Sequence, residues 1–418
     1  MKDEIVKIAP DKNYAVQNMD ASTSLKVNSS RIVSIDFLRG LIMVIMALDH
    51  VRDYIHFDAF LYNPLYASKT YPLLYITRWI THFCAPTFVL LAGVSAYLLG
   101  TRISKKILSR FLLTRGLWLI FADLVIVSTG WSFNSPPHFM SFGVVSTIGM
   151  SMIILSLLIY LPYKLILAFG ITIIALNNCL DNVHFTEGSF AQFTWSLIHE
   201  RRIFQWGDGY TFSLSYPFLA WAGVMAAGYC LGAIFKPDYD SLKRKHVLRY
   251  TGLLAIVLFF VLRYFNIYGD ASHWQSGANT TQTVMIFFNV QKYPPSLLFI
   301  LATLGPVLLF SSFIIDSNIS PSNPLVRIGR VPFFYYVLHI YLIHFIAMIV
   351  AVSTGHPWTD MVTNSFIFNA PQLKGTYGLS LLWVYVIWVF VIAIMYPLCK
   401  WYNNFKHQHK NWRWLSYL

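Results

Sequence analysis

Charge is what this chain has least of. Asp, Glu, Lys and Arg make up 12% of its 418 residues, while 56% are hydrophobic and 17% aromatic; a soluble domain carries about 25% charged residues. Separate apolar runs of about 20 residues recur along the whole length, the stretch that a membrane-spanning helix needs. A soluble enzyme is thereby excluded. Cysteine is also scarce: Cys84, Cys179, Cys230 and Cys399 fall in or at the edge of apolar runs with no CxxC spacing, so neither a disulfide framework nor a zinc site is expected. No repeat of a solenoid's period stands out. The first thirty residues are too polar for a signal peptide and read as a cytoplasmic tail of low order. The formal charge of +13 would suggest nucleic acid in a soluble protein. Here its expected cause is topological, because Lys and Arg accumulate on cytoplasmic loops, and nucleic acid is set aside as a partner.

What is present is an all-α polytopic membrane protein. The apolar runs predict about ten transmembrane helices: one within 31–58, then about 75–99, 111–131, 142–161, 164–177, 214–235, 247–264, a broken one over 284–315, 331–352 and 378–399. The break is expected at Pro294 and Pro295, which remove donors from the helical ladder. With the N-terminus inside, 22 of the 31 Lys and Arg lie on inner segments, so both termini are expected in the cytoplasm. The domain reading is a tail over 1–30, a transmembrane domain over 31–400 and a basic, aromatic cytoplasmic tail over 401–418.

The rest of the chain reads as organised around Arg31 to Asp58, RIVSIDFLRGLIMVIMALDHVRDYIHFD. Steps of three and four carry one helical face through Asp36, Arg39, Met43, Met46, His50 and Asp53. Ionisable residues at membrane depth are costly enough to be functional hypotheses by default. A rise of 1.5 Å per residue puts Arg39 and His50 roughly 16 Å apart, with Arg39 towards the cytoplasm and His50 towards the outer face.

SIDFLRGLIMVIMALDH, with Asp-x-Leu-Arg-Gly and a polar residue fourteen positions after the Asp, resembles the first helix of polytopic membrane acyltransferases. Two families share it: the heparan-alpha-glucosaminide N-acetyltransferase family, with its bacterial members, and the membrane acyltransferase-3 family. In the second, an Arg and a His separated by ten residues are required for transfer, and Arg39 and His50 have that spacing. Further stretches resemble the first family in its bacterial branch: THFCAPTFVLLAGVSAYLLG from Thr81, YPFLAWAGVMAAGYCLG from Tyr216, NIYGDASHW from Asn266, KYPPSLLFILATLGP from Lys292 and GRVPFFYYVLHIYLIH from Gly329. One departure matters. The heparan enzyme has Asn where this chain has His50, and the position of its catalytic His is Leu61 here, without the Trp-Asn-Gly stretch that follows it. That His is not carried over; His56 and His82 are the nearest substitutes, and His50 is preferred.

The resemblance implies an integral membrane acyltransferase that moves an acyl group, acetyl above all, from cytosolic acyl-CoA to a sugar hydroxyl or amine of a glycan or glycoside at the outer face. It also implies a bacterial inner membrane. Membrane lipid surrounds the chain, no metal is called for, and a homodimer is compatible with this reading. Acyl transfer needs a base for the acceptor's proton, and His suits that near neutral pH. His50 is the expected base, with Asp53 one turn on as the group that orients it; Asp49 lies about 100° round the helix and is the weaker partner. A covalent acetyl-His50 intermediate is the alternative to direct transfer. Arg39, paired with Asp36, and the loop bearing Arg102, Lys105 and Lys106 are expected to meet the donor's phosphates. Lys292 either orients an acyl or phosphate oxygen or caps carbonyls freed by the prolines. His339 and His344, roughly 140° apart, do not form a metal pair and read as packing residues, with His339 beside Tyr335 and Tyr336 open to the bundle. Glu187, Glu200 and Asp208 are ordinary loop charges or contacts for an amine-bearing sugar. The competing class is a secondary transporter for a small anion or sugar, whose paired broken helices have only one counterpart here.

Overall fold

The structure is a computed structural model that describes residues 32–134, 138–207, 209–409, 411, 412 and 415. The expected tail over 1–30 and Asp208 lie outside the described residues. In chain order, α1 is Val33–Ile55, α2 Pro72–Trp79, α3 Cys84–Gly100, α4 Lys105–Ala122, α5 Ser128–Ser132, α6 Val144–Leu158, α7 Tyr163–Leu176, α8 Phe190–Ile198 and α9 Leu219–Leu231. They are followed by α10 Ser241–Tyr264, α11 Thr280–Phe288, α12 Leu297–Ile314, α13 Pro324–Gly329, α14 Pro332–Ser353 and α15 Leu381–Gln408.

Seven helical runs among the described residues are long and apolar enough to cross a membrane: 72–100, 105–132, 163–180, 241–264, 297–314, 332–353 and 381–408. Two shorter apolar helices cover 144–158 and 219–235. The helix α1 has the length but carries Asp36, Arg39, Asp49, Arg52 and Asp53, more charge than an ordinary span tolerates. Each apolar stretch of the sequence is thus helical. The break at the two prolines is real, with α11 and α12 separated by 289–296. Ser296 restarts the helix as an N-cap, accepting from the Phe299 amide at 3.0 Å. The last helix continues to Gln408, past the expected start of the tail.

A small sheet interrupts the helical architecture. Strand β1 is Phe139–Phe142, β2 Arg202–Trp206 and β3 Tyr210–Leu214, in the order β1-β3-β2. Phe139 pairs with Thr211 in the parallel pair and Arg202 with Leu214 in the antiparallel one. Aromatics of this sheet pack on α8, where Phe193 meets Phe204 and Phe212.

At the N-terminal end of α1 two backbones touch. A Cβ on Gly329 would fall 1.8 Å from the Asp36 carbonyl oxygen, and one on Gly40 would fall 1.8 Å from that of Leu325. Only glycine allows α13 this close to α1. Because α14 begins three residues after α13 ends, this contact fixes the height at which α14 runs along α1.

Candidate functional site

The two polar ends of α1 have different surroundings. At the N-terminal end Asp36 is buried and paired with Arg39 at 3.3 Å and with Arg330 at 3.5 Å. The Arg39 guanidinium also reaches α3, at the Ser95 hydroxyl and the Leu91 carbonyl. At the C-terminal end Asp49 accepts from Arg78 at 2.5 Å and pairs with Arg52 at 2.9 Å, while Asp53 pairs with Arg52. The carboxylates flanking His50 are therefore committed to arginines, a sound arrangement for charge taken out of water.

His50 has a different partner. Its Nδ1 lies 2.8 Å from Nε2 of His339 on α14, and the two rings stack with centroids 5.0 Å apart. The Nδ1 of His339 lies 2.9 Å from the Tyr335 carbonyl oxygen. A carbonyl only accepts, so His339 carries its proton on Nδ1 and, when neutral, has a lone pair on Nε2. His50 must then donate from Nδ1. Its own Nε2 is left with a lone pair, and His50 lines a cavity. Trp131 and Tyr336 meet the ring edge-on, at centroid distances of 4.9 and 6.3 Å, and hold it in place.

The cavity has a volume of about 910 Å³, at the upper end of the range for small-molecule sites. It is lined by Asp49, His50 and Asp53 of α1, by His82, Asp123, Trp131 and Ser141, and by Leu61, Arg201, Lys292 and Lys374 from the connections after α1, α8, α11 and α14. Its lining does not include Arg39, Met43 or Met46. The two methionines are buried, at 3% and 6% exposure, and close the face of α1 between its polar ends.

Two of these lining groups are placed by backbone irregularities. Asp123 opens a π-helical turn, Asp123–Val127, between α4 and α5, a feature frequent at functional sites. Its Oδ2 accepts from the amides of Gly143 and Ser146, both at 2.8 Å, and so caps α6. Lys292 sits in the break between α11 and α12. Its backbone is pinned by Asp270, which accepts from the Gln291 amide at 2.7 Å and the Ser296 hydroxyl at 2.8 Å. Arg263 donates to the carbonyls of Phe287, Ile286 and Asn289 at the end of α11, and Asn177 donates to that of Pro295.

The residues singled out from the sequence thus separate into groups. His50, Asp49, Asp53, His82 and Lys292 line one cavity. Asp36 and Arg39 form a pair at the other end of α1, where Arg39 reaches Leu91 and Ser95 of α3; Arg102, in the turn after α3, and Lys105, at the start of α4, are exposed. Asp53 does not orient His50, because Arg52 takes its carboxylate and His339 takes the imidazole. His56 is buried outside the lining and ties the end of α1 to Leu379, its Nδ1 3.0 Å from that carbonyl oxygen. Glu200 pairs with Arg202 at 3.1 Å, and Glu187 with the same arginine at 3.7 Å. Lys292 does not share the end of α1 that holds Arg39, and the carbonyls near the prolines are taken by Arg263 and Asn177 instead. Asp123 was missed from the sequence, although a lone carboxylate in an apolar run is itself the signal; His339, read as a packing residue open to the bundle beside Tyr335 and Tyr336, had no residue on its own helix to suggest His50 as its partner.

The family model described as heparan-alpha-glucosaminide N-acetyltransferase, catalytic, matches residues 31–268. The match takes in His50, Asp49, Arg78, His82 and Asp123; Lys292, which also lines the cavity, and His339, the partner of His50, lie beyond it. A search of curated proteins gives no match.

Proposed function

Since the chain belongs to the heparan-alpha-glucosaminide N-acetyltransferase family, a family of membrane acetyltransferases that use acetyl-CoA, we propose that it transfers acetyl from cytosolic acetyl-CoA to a glycan or glycoside bound in the His50 cavity. One observation carries the reading: the Tyr335–His339–His50 chain of hydrogen bonds leaves Nε2 with a free lone pair on His50, a residue that lines the cavity. In the step itself, Nε2 of His50 takes the proton of an acceptor O–H or N–H as that atom attacks the thioester carbonyl carbon. The new C–O or C–N bond forms, the C–S bond breaks, and the CoA thiolate leaves with the proton from the imidazolium. His339 holds the tautomer and is a positioning residue. Transfer is direct, with both substrates bound at once.

The proposal gives the chain ten spans, both termini in the cytosol and the cavity mouth on the outer face of a bacterial inner membrane. The distribution of Lys and Arg supports that orientation, as does the gathering of the connections after α1, α8, α11 and α14 around one cavity. Arg102 and Lys105 meet the donor's phosphates at the inner face, and Arg39 anchors α1 to α3 where the pantetheine arm enters. The arm passes Met43 and Met46, whose unbranched side chains can shift.

Two measurements test this. Saturating acetyl-CoA should raise the melting temperature of the purified protein by mass action. Mass spectrometry of cell-surface glycans with and without the gene should show acetyl groups that depend on it. Absence of both effects would leave the proposal without support.

A further inference from the structure

The turn after α7 and the end of α8 are joined to the break between α11 and α12 by a closed ring of hydrogen bonds for which the transfer step has no use. Its centre is His199, the residue that ends α8, which is 3% exposed. Its Nδ1 lies 3.2 Å from Oδ1 of Asn177 and its Nε2 3.0 Å from Oδ1 of Asp181. Asn177 donates from Nδ2 to the Pro295 carbonyl at 3.3 Å. On the other side Asp181 accepts on Oδ2 from Nδ2 of Asn178 at 2.8 Å, and Oδ1 of Asn178 accepts from the Leu297 amide at 2.8 Å. The ring thus leaves the break at Pro295 and returns to it at Leu297.

The backbone at both ends decides where the protons are. A carbonyl only accepts and an amide N–H only donates, so Pro295 fixes which way the Asn177 amide points and Leu297 does the same for Asn178. Asn177 therefore turns its oxygen to His199, and Asp181 offers a carboxylate oxygen. His199 faces two acceptors and fills both bonds only as the imidazolium, with Asp181 as its counter-charge. The other ionisable groups on these elements are engaged elsewhere: Glu200 with Arg202 at 3.1 Å and with His184 at 3.8 Å, Asp270 with the Gln291 amide and the Ser296 hydroxyl, and Cys179 with the Tyr268 hydroxyl at 3.4 Å. Arg201 and Lys292 line the cavity.

Loss of one proton has a directed consequence. The remaining N–H goes to the carboxylate, the stronger acceptor, and the Nδ1 lone pair then meets the Asn177 oxygen. Asn177 regains a bond there only by turning its Nδ2 away from Pro295. Resting on the acetyltransferase reading, we propose that His199 is a positioning residue for the transfer: its imidazolium holds the break in place, with Lys292 and Tyr293 of that segment at the cavity wall, so that the wall is complete only while His199 keeps its second proton. With the cavity mouth on the outer face, turnover then answers to the external pH.

The test compares the purified full-length wild type with His199→Gln in detergent at constant ionic strength, from about pH 5.5 to about pH 8.5. The ring of bonds uses the doubly protonated histidine, so its stabilisation is present on the acid side and is lost as the pH rises. The wild type should melt at least about 2 °C above the variant at the acid end, and that gap should shrink by half or more at the alkaline end. Asp181→Asn should show the same narrowing gap and decides the matter if His199→Gln does not fold. A gap that is constant with pH, or no gap, would overturn the clamp, since a neutral packing histidine gives one or the other. CoA release from acetyl-CoA in the presence of a cell-surface glycan preparation should be about tenfold lower in His199→Gln at the acid end, with thermal stabilisation by acetyl-CoA kept. Turnover equal to the wild type's in that folded variant would overturn the positioning role. The melting comparison needs neither substrate, so a narrowing gap in a protein that acetyl-CoA does not stabilise would instead count against the transferase reading.

Discussion

Nδ1 of His50 lies 2.8 Å from Nε2 of His339, a residue 289 positions further along the chain. Ser-His-Asp sites orient their base with a carboxylate; here a second imidazole does so, itself fixed by the Tyr335 carbonyl one turn earlier on α14. His339→Ala should therefore lower kcat by about 10–100-fold with little change in the KM for acetyl-CoA. His339→Gln should recover part of the loss, since its amide oxygen can still accept from His50. A fall in both variants that tracks only the amount of folded protein would argue for mere packing.

Donor entry along α1 makes a prediction at Met46, which is buried between the polar ends of the helix. Met46→Trp should raise the KM for acetyl-CoA by about tenfold or more, as overfilling costs roughly 1–3 kcal/mol. Met46→Ala should leave it unchanged or lower it. Kinetics with acetyl-CoA as the varied substrate reads both; an unaffected Trp variant would mean that the donor takes another path.

Gly329 and Gly40 make a prediction about the scaffold. Their missing side chains allow a backbone contact in which a Cβ would stand 1.8 Å from a carbonyl oxygen. Gly329→Ala must push α13 off α1, at a cost of about 1–3 kcal/mol or more, and carry α14 and His339 with it. The expected result is a lower melting temperature together with lost activity. A variant of native stability would show that the two helices are not held this close.

Asp123 separates capping from chemistry. Asp123→Ala leaves two buried amides unbonded, which costs about 1–3 kcal/mol for each, whereas Asp123→Asn keeps an acceptor oxygen for them. Thermal denaturation should rank the variants Ala below Asn, with Asn near the wild type in both stability and turnover. An Asn variant as inactive as the Ala variant would give the carboxylate a direct part in the reaction.

The helices were legible because each apolar run is long, and length and composition decide that a segment is helical in lipid. The break at Pro294 and Pro295 was legible for the same reason, since proline withdraws donors whatever surrounds it. The sheet was not. Its strands are five residues or fewer and lie in two separate connections, β1 before α6 and β2 and β3 between α8 and α9, where alternation over so few positions carries little signal. In the site, the stripe through Arg39, His50 and Asp53 follows from helical period alone, but the partners do not. Arg52 outcompetes His50 for Asp53 because it is a permanent cation on the adjacent residue, and His339 reaches His50 only through the docking of α14 on α1. Lys292 could be read as unusual from its place beside the prolines. Its freedom from capping duty depends on Arg263 and Asn177, which tertiary structure alone brings to it.

The most direct test is His50→Ala in the purified protein, following CoA released from acetyl-CoA in the presence of a cell-surface glycan preparation alongside thermal stabilisation by the donor. Release should fall by about 10²–10⁴-fold with stabilisation by acetyl-CoA intact. Turnover within a few-fold of the wild type, in a protein that still binds donor, would contradict the assignment of His50 as the base.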